Sequence, residues 1–121
     1  MARILVIEDE ETVRAVLRRM LEGAGYEVVE TLDGEDGLRL YREAPADLVV
    51  TDVLMPGKDG LELIKELKRE FPDVKIIAMS GYEHYLEMAT LIGALHSIQK
   101  PVKVKEMLDA IEDLLNGSGG T

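Results

Sequence analysis

A chain of 121 residues makes one domain with a single sizeable core and has no room for a second. Hydrophobic residues at 46% and charged residues at 31% are ordinary globular proportions, and no apolar run approaches the length of about 18 residues that suggests a membrane span, so a soluble protein is expected. Twenty-four acids against 14 Lys and Arg give a net charge of −10, which repels nucleic-acid phosphates and favours cations and basic partner surfaces.

The amino terminus "MARILVIEDE" has a short apolar run that stops at acids and lacks both a long apolar region and a small-residue cleavage site, so "ILVI" at 4–7 reads as a first strand. Glu8, Asp9, Glu10 and Glu11 follow it. Val13, Val16, Leu17, Met20 and Leu21 then fall at spacings 0, 3, 4, 7 and 8, the single apolar stripe of a helix. "YEVVE" at 26–30 reads as a weaker strand, and 35–43 has the length and flanking residues of a helix. "LVV" at 48–50 is a third strand, with Asp52 and the turn sequence "MPGKDG" behind it and a helical segment at 60–70. "VKIIAM" at 74–79 is a fourth strand, followed by Ser80, Gly81 and a helical segment at 84–93. "HSIQ" at 96–99 is a second weaker strand, leading to Lys100 and Pro101. Val104, Met107, Leu108, Ile111 and Leu115 repeat the helical stripe. The tail "NGSGGT" has nothing to bury and reads as a frayed end, a linker stub or a cloning scar.

Strand and helix thus alternate five times, which predicts an open parallel sheet with right-handed crossovers and helices on both faces, a doubly wound α/β fold. In such sheets ligands bind outside the carboxyl ends of the strands. That rule brings Glu8, Asp9, Glu10 and Glu11, then Asp52, Ser80 and Lys100, to one rim. Each has a plain structural reading when taken singly. Asp9 suits a helix cap, Asp52 a turn residue, Ser80 a loop serine and Lys100 a surface chain with its amine in water. Their joint placement favours chemistry.

Carboxylates gathered closely raise one another's pKa values unless a cation intervenes, and oxygen ligands without His or Cys suit Mg²⁺ better than Zn²⁺. With no Cys in the chain, disulfides, thiolate nucleophiles and thiolate ligands are excluded, which fits a reducing compartment and makes a cytoplasmic location the expectation. Mg²⁺ beside a carboxylate, an amine and a hydroxyl equips a site for phosphoryl transfer, with the carboxylate attacking. "EDEE" argues against a bound mononucleotide, because a phosphate cradle needs amides and hydroxyls.

Residues 3–115 resemble the receiver domain of two-component response regulators, and the chemotaxis regulators among them, through "ILVIEDE", "DVLMPGKDG", "IIAMSG" and "GALHSIQKP" in that order. The resemblance implies a receiver domain over 1–116 with a flexible tail or linker stub at 117–121. It also implies a flavodoxin-like fold of five parallel strands in the order 2-1-3-4-5 with five helices. Asp52 would accept a phosphoryl group from a sensor histidine kinase or a phosphotransfer protein. Mg²⁺ would be held by Asp9, Asp52 and the backbone carbonyl of Leu54, with Glu8 acting mainly through water. Lys100 would pair with the phosphoryl group, the bond between Lys100 and Pro101 would be cis, and Ser80 would move toward the phosphate. The output is a changed affinity for a downstream protein target or an attached output domain, and the domain modifies itself without turning over a metabolite. The chain is then either a stand-alone regulator or the amino-terminal piece of a longer one.

One departure matters. Receiver domains usually carry Tyr or Phe where Ser97 stands, so the aromatic half of their switch is missing and a subtler output surface is expected. Leu54 and Tyr82 occupy positions that flank the phosphoryl site in the family, and their bulk should hinder an attacking water. Two alternatives remain. A small phosphohydrolase of the haloacid dehalogenase type also uses Asp, a hydroxyl, Lys and Mg²⁺. It needs a second Asp at the position of Leu54 and a further acidic pair that "KPVKVKE" does not supply. The other alternative is a receiver-like interaction domain that takes no phosphate. His84 and His96 read as surface or interface residues, and the six Met as core fillers.

Overall fold

The computed structural model describes residues 1–55 and 59–116; the Pro-Gly turn expected at 56–57 and the tail at 117–121 lie outside the described residues. Strands and helices alternate as β1 (Arg3–Ile7), α1 (Glu11–Gly23), β2 (Glu27–Thr31), α2 (Gly34–Glu43), β3 (Leu48–Asp52), α3 (Gly60–Glu70), β4 (Ile76–Ser80), α4 (Glu83–Leu91), β5 (His96–Gln99) and α5 (Val104–Leu115). The five strands form one parallel sheet in the order β2-β1-β3-β4-β5, in agreement with the expectation.

The unbroken apolar runs arise because both faces of the sheet are covered. Side chains alternate along each strand, so Leu5 and Ile7 of β1 face one layer and Ile4 and Val6 the other. On the first layer lie Leu38 and Tyr41 of α2, Leu63, Ile64 and Leu67 of α3, and Leu86 and Ala89 of α4. On the second lie Leu17 and Leu21 of α1 with Met107, Ala110 and Ile111 of α5. Each such aliphatic side chain removed from water contributes about 1.5–3 kcal/mol. Met55, Met79 and Met107 are core fillers as expected, while Met1 is exposed.

Several boundaries differ from the sequence reading. β3 extends through Asp52 and all five of its residues are buried, so Asp52 ends a strand and is not a turn residue. β4 extends through Ser80, which is therefore not a loop serine. α4 begins at Glu83 and ends at Leu91, two residues short of the expected end. Val16 and Val104, counted into the apolar stripes, are exposed. At the start of α1 the cap position falls to Glu10 with no side-chain hydrogen bond, so Asp9 does not cap this helix.

One glycine is imposed by the packing that positions the rim. A Cβ on Gly60 would lie 2.3 Å from the Asp52 carbonyl oxygen and 2.6 Å from the Val53 Cα, so only glycine lets α3 begin this close to the end of β3. The Gly60 amide uses that approach to donate to the Val53 carbonyl at 2.8 Å.

Candidate functional site

Because all five strands run in one direction, the residues that end or follow β1, β3, β4 and β5 share the carboxyl edge of the sheet. Glu8 follows β1, Asp52 and Ser80 are the last residues of β3 and β4, and Lys100 follows β5. Carboxylate oxygens of Glu8, Asp9 and Asp52 lie within 4.8 Å of one another. Lys100 reaches into this group, with its Nζ 2.8 Å from Glu8 Oε1, 3.4 Å from Asp52 Oδ1 and 3.9 Å from Glu10 Oε1. The peptide bond between Lys100 and Pro101 is cis, as the resemblance implied.

Electrostatics follow from burial. Glu8 and Asp52 are both buried, and loss of water around them pushes both carboxyls above the usual carboxylate range. For Asp52 the Lys100 ammonium opposes that rise and the Asp9 charge adds to it. For Lys100, burial is the largest single influence and pulls its pKa down, but the hydrogen bond to Glu8 and the charges of Asp52 and Glu8 together outweigh it and raise it.

Three carboxylates and one ammonium leave two negative charges in one small volume. The donor set is all oxygen, which suits a hard divalent cation such as Mg²⁺ and offers no nitrogen or sulfur to Zn²⁺. The residues present therefore fit the ion. A carboxylate beside an ammonium, at the carboxyl edge of the sheet, can act as a nucleophile toward phosphorus.

Ser80 is buried one strand over, and its Oγ accepts a hydrogen bond from the Tyr82 amide at 3.0 Å, which leaves its O–H free to donate. Leu54 and Tyr82, two residues beyond Asp52 and Ser80, have 39% and 63% of their surfaces exposed. Ser97 is exposed on the edge strand β5 and borders a notch of about 500 Å³ with Leu86, Thr90 and Leu91. His96 pairs with Asp113 at 3.1 Å and His84 packs edge-on to Tyr85, so neither lies in the acidic group. An open apolar groove lined by Thr12, Val13, Val16, Leu17, Pro101 and Val102 runs up to Lys100.

Sequence reasoning missed the residues that fix Glu8. Arg14 donates from Nη1 to the Glu8 carbonyl at 2.8 Å while its Nε donates to Glu30 Oε1 at 3.2 Å. The Glu8 amide donates to the Thr31 carbonyl at 3.1 Å. Arg14 sits on the polar flank of an ordinary amphipathic stripe, and nothing in the spacing distinguishes it from its neighbours Arg18 and Arg19.

The family model for the response regulator receiver domain matches residues 4–112. The regulatory protein LiaR of Bacillus subtilis is 37% identical over 121 residues, covering 97% of this chain and 57% of that protein. The DNA-binding transcriptional regulator NtrC of Azospirillum brasilense is 35% identical over 119 residues, covering 97% of this chain and 25% of that protein. The chain thus spans only part of the length of these curated relatives. A solved response regulator receiver domain from Clostridium thermocellum superposes with a TM-score of 0.91 at 31% identity, covering 98% of each chain.

Proposed function

Because the chain belongs to the family of response regulator receiver domains, we propose that it is a phosphorylation-controlled module whose Asp52 accepts a phosphoryl group from a phosphohistidine on a sensor histidine kinase or phosphotransfer protein. The observation that carries this reading is the meeting of buried Asp52 with Glu8, Asp9 and Lys100 at one strand edge. Neither alternative gains support. Leu54 stands where a haloacid dehalogenase type hydrolase needs its acid-base Asp, and the intact acceptor, acids and Lys count against a domain that takes no phosphate.

Asp52 attacks phosphorus through a carboxylate oxygen; the new O–P bond forms as the P–N bond to the donor imidazole breaks, and the imidazole keeps the electron pair and takes a proton from solvent. Lys100 places its charge against the phosphoryl oxygens, and Ser80 moves toward the phosphate to donate its hydroxyl to one of them. Asp9, Asp52 and the Leu54 carbonyl would hold Mg²⁺, with Glu8 acting through water, and the chemistry such an ion supplies is neutralisation of charge on the phosphoryl oxygens. The apolar groove that runs up to Lys100 offers the donor protein a place to dock beside the acceptor. Acyl phosphate on Asp52 then changes the affinity of the domain for a downstream target or output domain, in a cytoplasmic setting, with coupling on the order of 1–3 kcal/mol. The domain assigned to 1–116 acts in this reading without a contribution from 117–121.

The test is incubation with a small phosphodonor and Mg²⁺ followed by intact mass. A gain of one phosphoryl group, labile to hydroxylamine and absent from Asp52→Asn, is expected. No gain, together with no Mg²⁺ binding, would overturn the assignment, and steady phosphate release from many organic phosphates would favour the hydrolase.

A further inference from the structure

We propose that Arg14 is a positioning residue for the divalent cation: its guanidinium clamps the loop between β1 and α1 to the end of β2 and so sets where Asp9 meets Glu8 and Asp52.

Three residues, Glu8, Asp9 and Glu10, link Ile7 of β1 to Glu11 of α1. Asp9 caps no helix, and among the described residues no hydrogen bond holds its carboxylate, so the backbone beneath it decides where it points. That backbone is fixed from two sides. The Glu8 amide donates to the Thr31 carbonyl of β2 at 3.1 Å, and the Glu8 carbonyl, which opens the peptide to Asp9, accepts from Arg14 Nη1 at 2.8 Å. Arg14 is itself tied to β2, because its Nε donates to Glu30 Oε1 at 3.2 Å while Arg18 Nη1 donates to the other oxygen of Glu30. The Arg14 side chain is only 15% exposed, so little water competes for these contacts. Two donors fixed in one plane suit two acceptors on different elements, whereas lysine brings a single nitrogen.

Charge and position predict opposite outcomes at this residue. The guanidinium sets a positive charge against the backbone of the acidic group, and by charge alone its removal should tighten a divalent cation. As a clamp, its removal should free the peptide to Asp9 and weaken the cation, since groups that orient metal ligands typically cost about 10–100-fold in affinity when lost. The inference deepens the function proposed above and rests on its Mg²⁺ site, but not on the phosphoryl step.

The full chain is titrated with MgCl₂ by calorimetry at fixed ionic strength, and amide hydrogen exchange is followed by NMR without Mg²⁺. Binding should weaken about tenfold in Arg14→Gln and nearly as much in Arg14→Lys, which keeps the charge. Glu30→Ala leaves every rim carboxylate in place and should give a smaller loss, which disappears when Arg14→Gln is already present. The Glu8 and Glu10 amides should exchange faster in the Arg14 variants, while Val50 and Ile77 inside the sheet keep their protection. Phosphoryl gain at saturating Mg²⁺ should stay near the native rate. Unchanged or tighter Mg²⁺ binding in Arg14→Gln, native affinity in Arg14→Lys, or protection lost equally throughout the sheet would overturn the proposal. If the variants weaken Mg²⁺ as expected and the native chain gains no phosphoryl group, the function proposed above fails and the positioning role stands. If the native chain gains the group and the variants bind Mg²⁺ as tightly as it does, the function stands and the role falls. A native chain that binds no Mg²⁺ ends the positioning role outright.

Discussion

At Asp52 the residue type was readable and its setting was not. Position after an apolar run and the pattern around it marked the acid, but the fact that it closes a fully buried strand emerged only with the packing of both helical layers. Glu8 and Lys100 are 92 residues apart, and no local spacing encodes a contact at that separation. Arg14 was invisible for a related reason, since its target is a backbone carbonyl and carbonyls leave no mark on a sequence. Leu54 shows what a half-exposed apolar residue does beside an acceptor. Under the proposed function its side chain, 39% exposed two residues beyond Asp52, offers no hydrogen bond to an attacking water. Replacing it by Asn supplies a donor and acceptor worth roughly 1 kcal/mol in the transition state, so Leu54→Asn should speed loss of the phosphoryl group from Asp52 by about fivefold to tenfold. Decay of the phosphorylated species by intact mass measures this, and an unchanged rate would remove Leu54 from the lifetime argument.

Among the elements, the helices divide by how they begin. α2 and α3 carry side-chain caps: Asp33 accepts from the Asp36 amide at 2.7 Å and Asp59 from the Glu62 amide at 2.8 Å. The helices α1, α4 and α5, which follow the strands that deliver Glu8, Ser80 and Lys100, have no side-chain cap. At α1 the cap position falls to Glu10, and Asp9 instead joins Glu8 and Asp52 in the acidic group. Unbroken apolar runs made the strands legible and helical spacing the outer stripes; the edges of α4 were less so, because Tyr82 makes no side-chain cap and the helix has little amphipathic contrast. Asp33→Ala should cost about 1 kcal/mol in urea denaturation. Asp36 adds a pH dependence. Its hydrogen bond with Arg39, then that with Thr31, hold its carboxyl below the usual range. A folded-state pKa below the unfolded one stabilises above the unfolded value, and the gain is lost as pH falls through the folded one. Asp36→Asn should therefore lower stability near neutral pH and flatten the acid limb; a parallel loss at every pH would assign the effect to packing.

For the whole molecule, charge and topology act together. Alternation of strands and helices foretold a two-layered parallel sheet, but periodicity does not encode strand order, and the order 2-1-3-4-5 was legible only through resemblance. That order places β1 and β3 side by side at the centre and so sets Glu8 and Asp9 beside Asp52. The fold thus concentrates part of a −10 net charge at one edge, where burial already penalises two carboxylates. An unfolded chain cannot assemble this cluster, so a divalent cation should bind the folded state alone and stabilise it by mass action. A concentration a hundredfold above the dissociation constant corresponds to about 2.7 kcal/mol. Melting in Mg²⁺ should therefore rise well above melting in NaCl of matched ionic strength, and chelation should reverse the gain. In Asp9→Asn with Asp52→Asn the Mg²⁺-specific part should vanish while any salt effect remains. An equal rise in that double variant would assign the stabilisation to screening of the acidic surface and take the cation away from the rim.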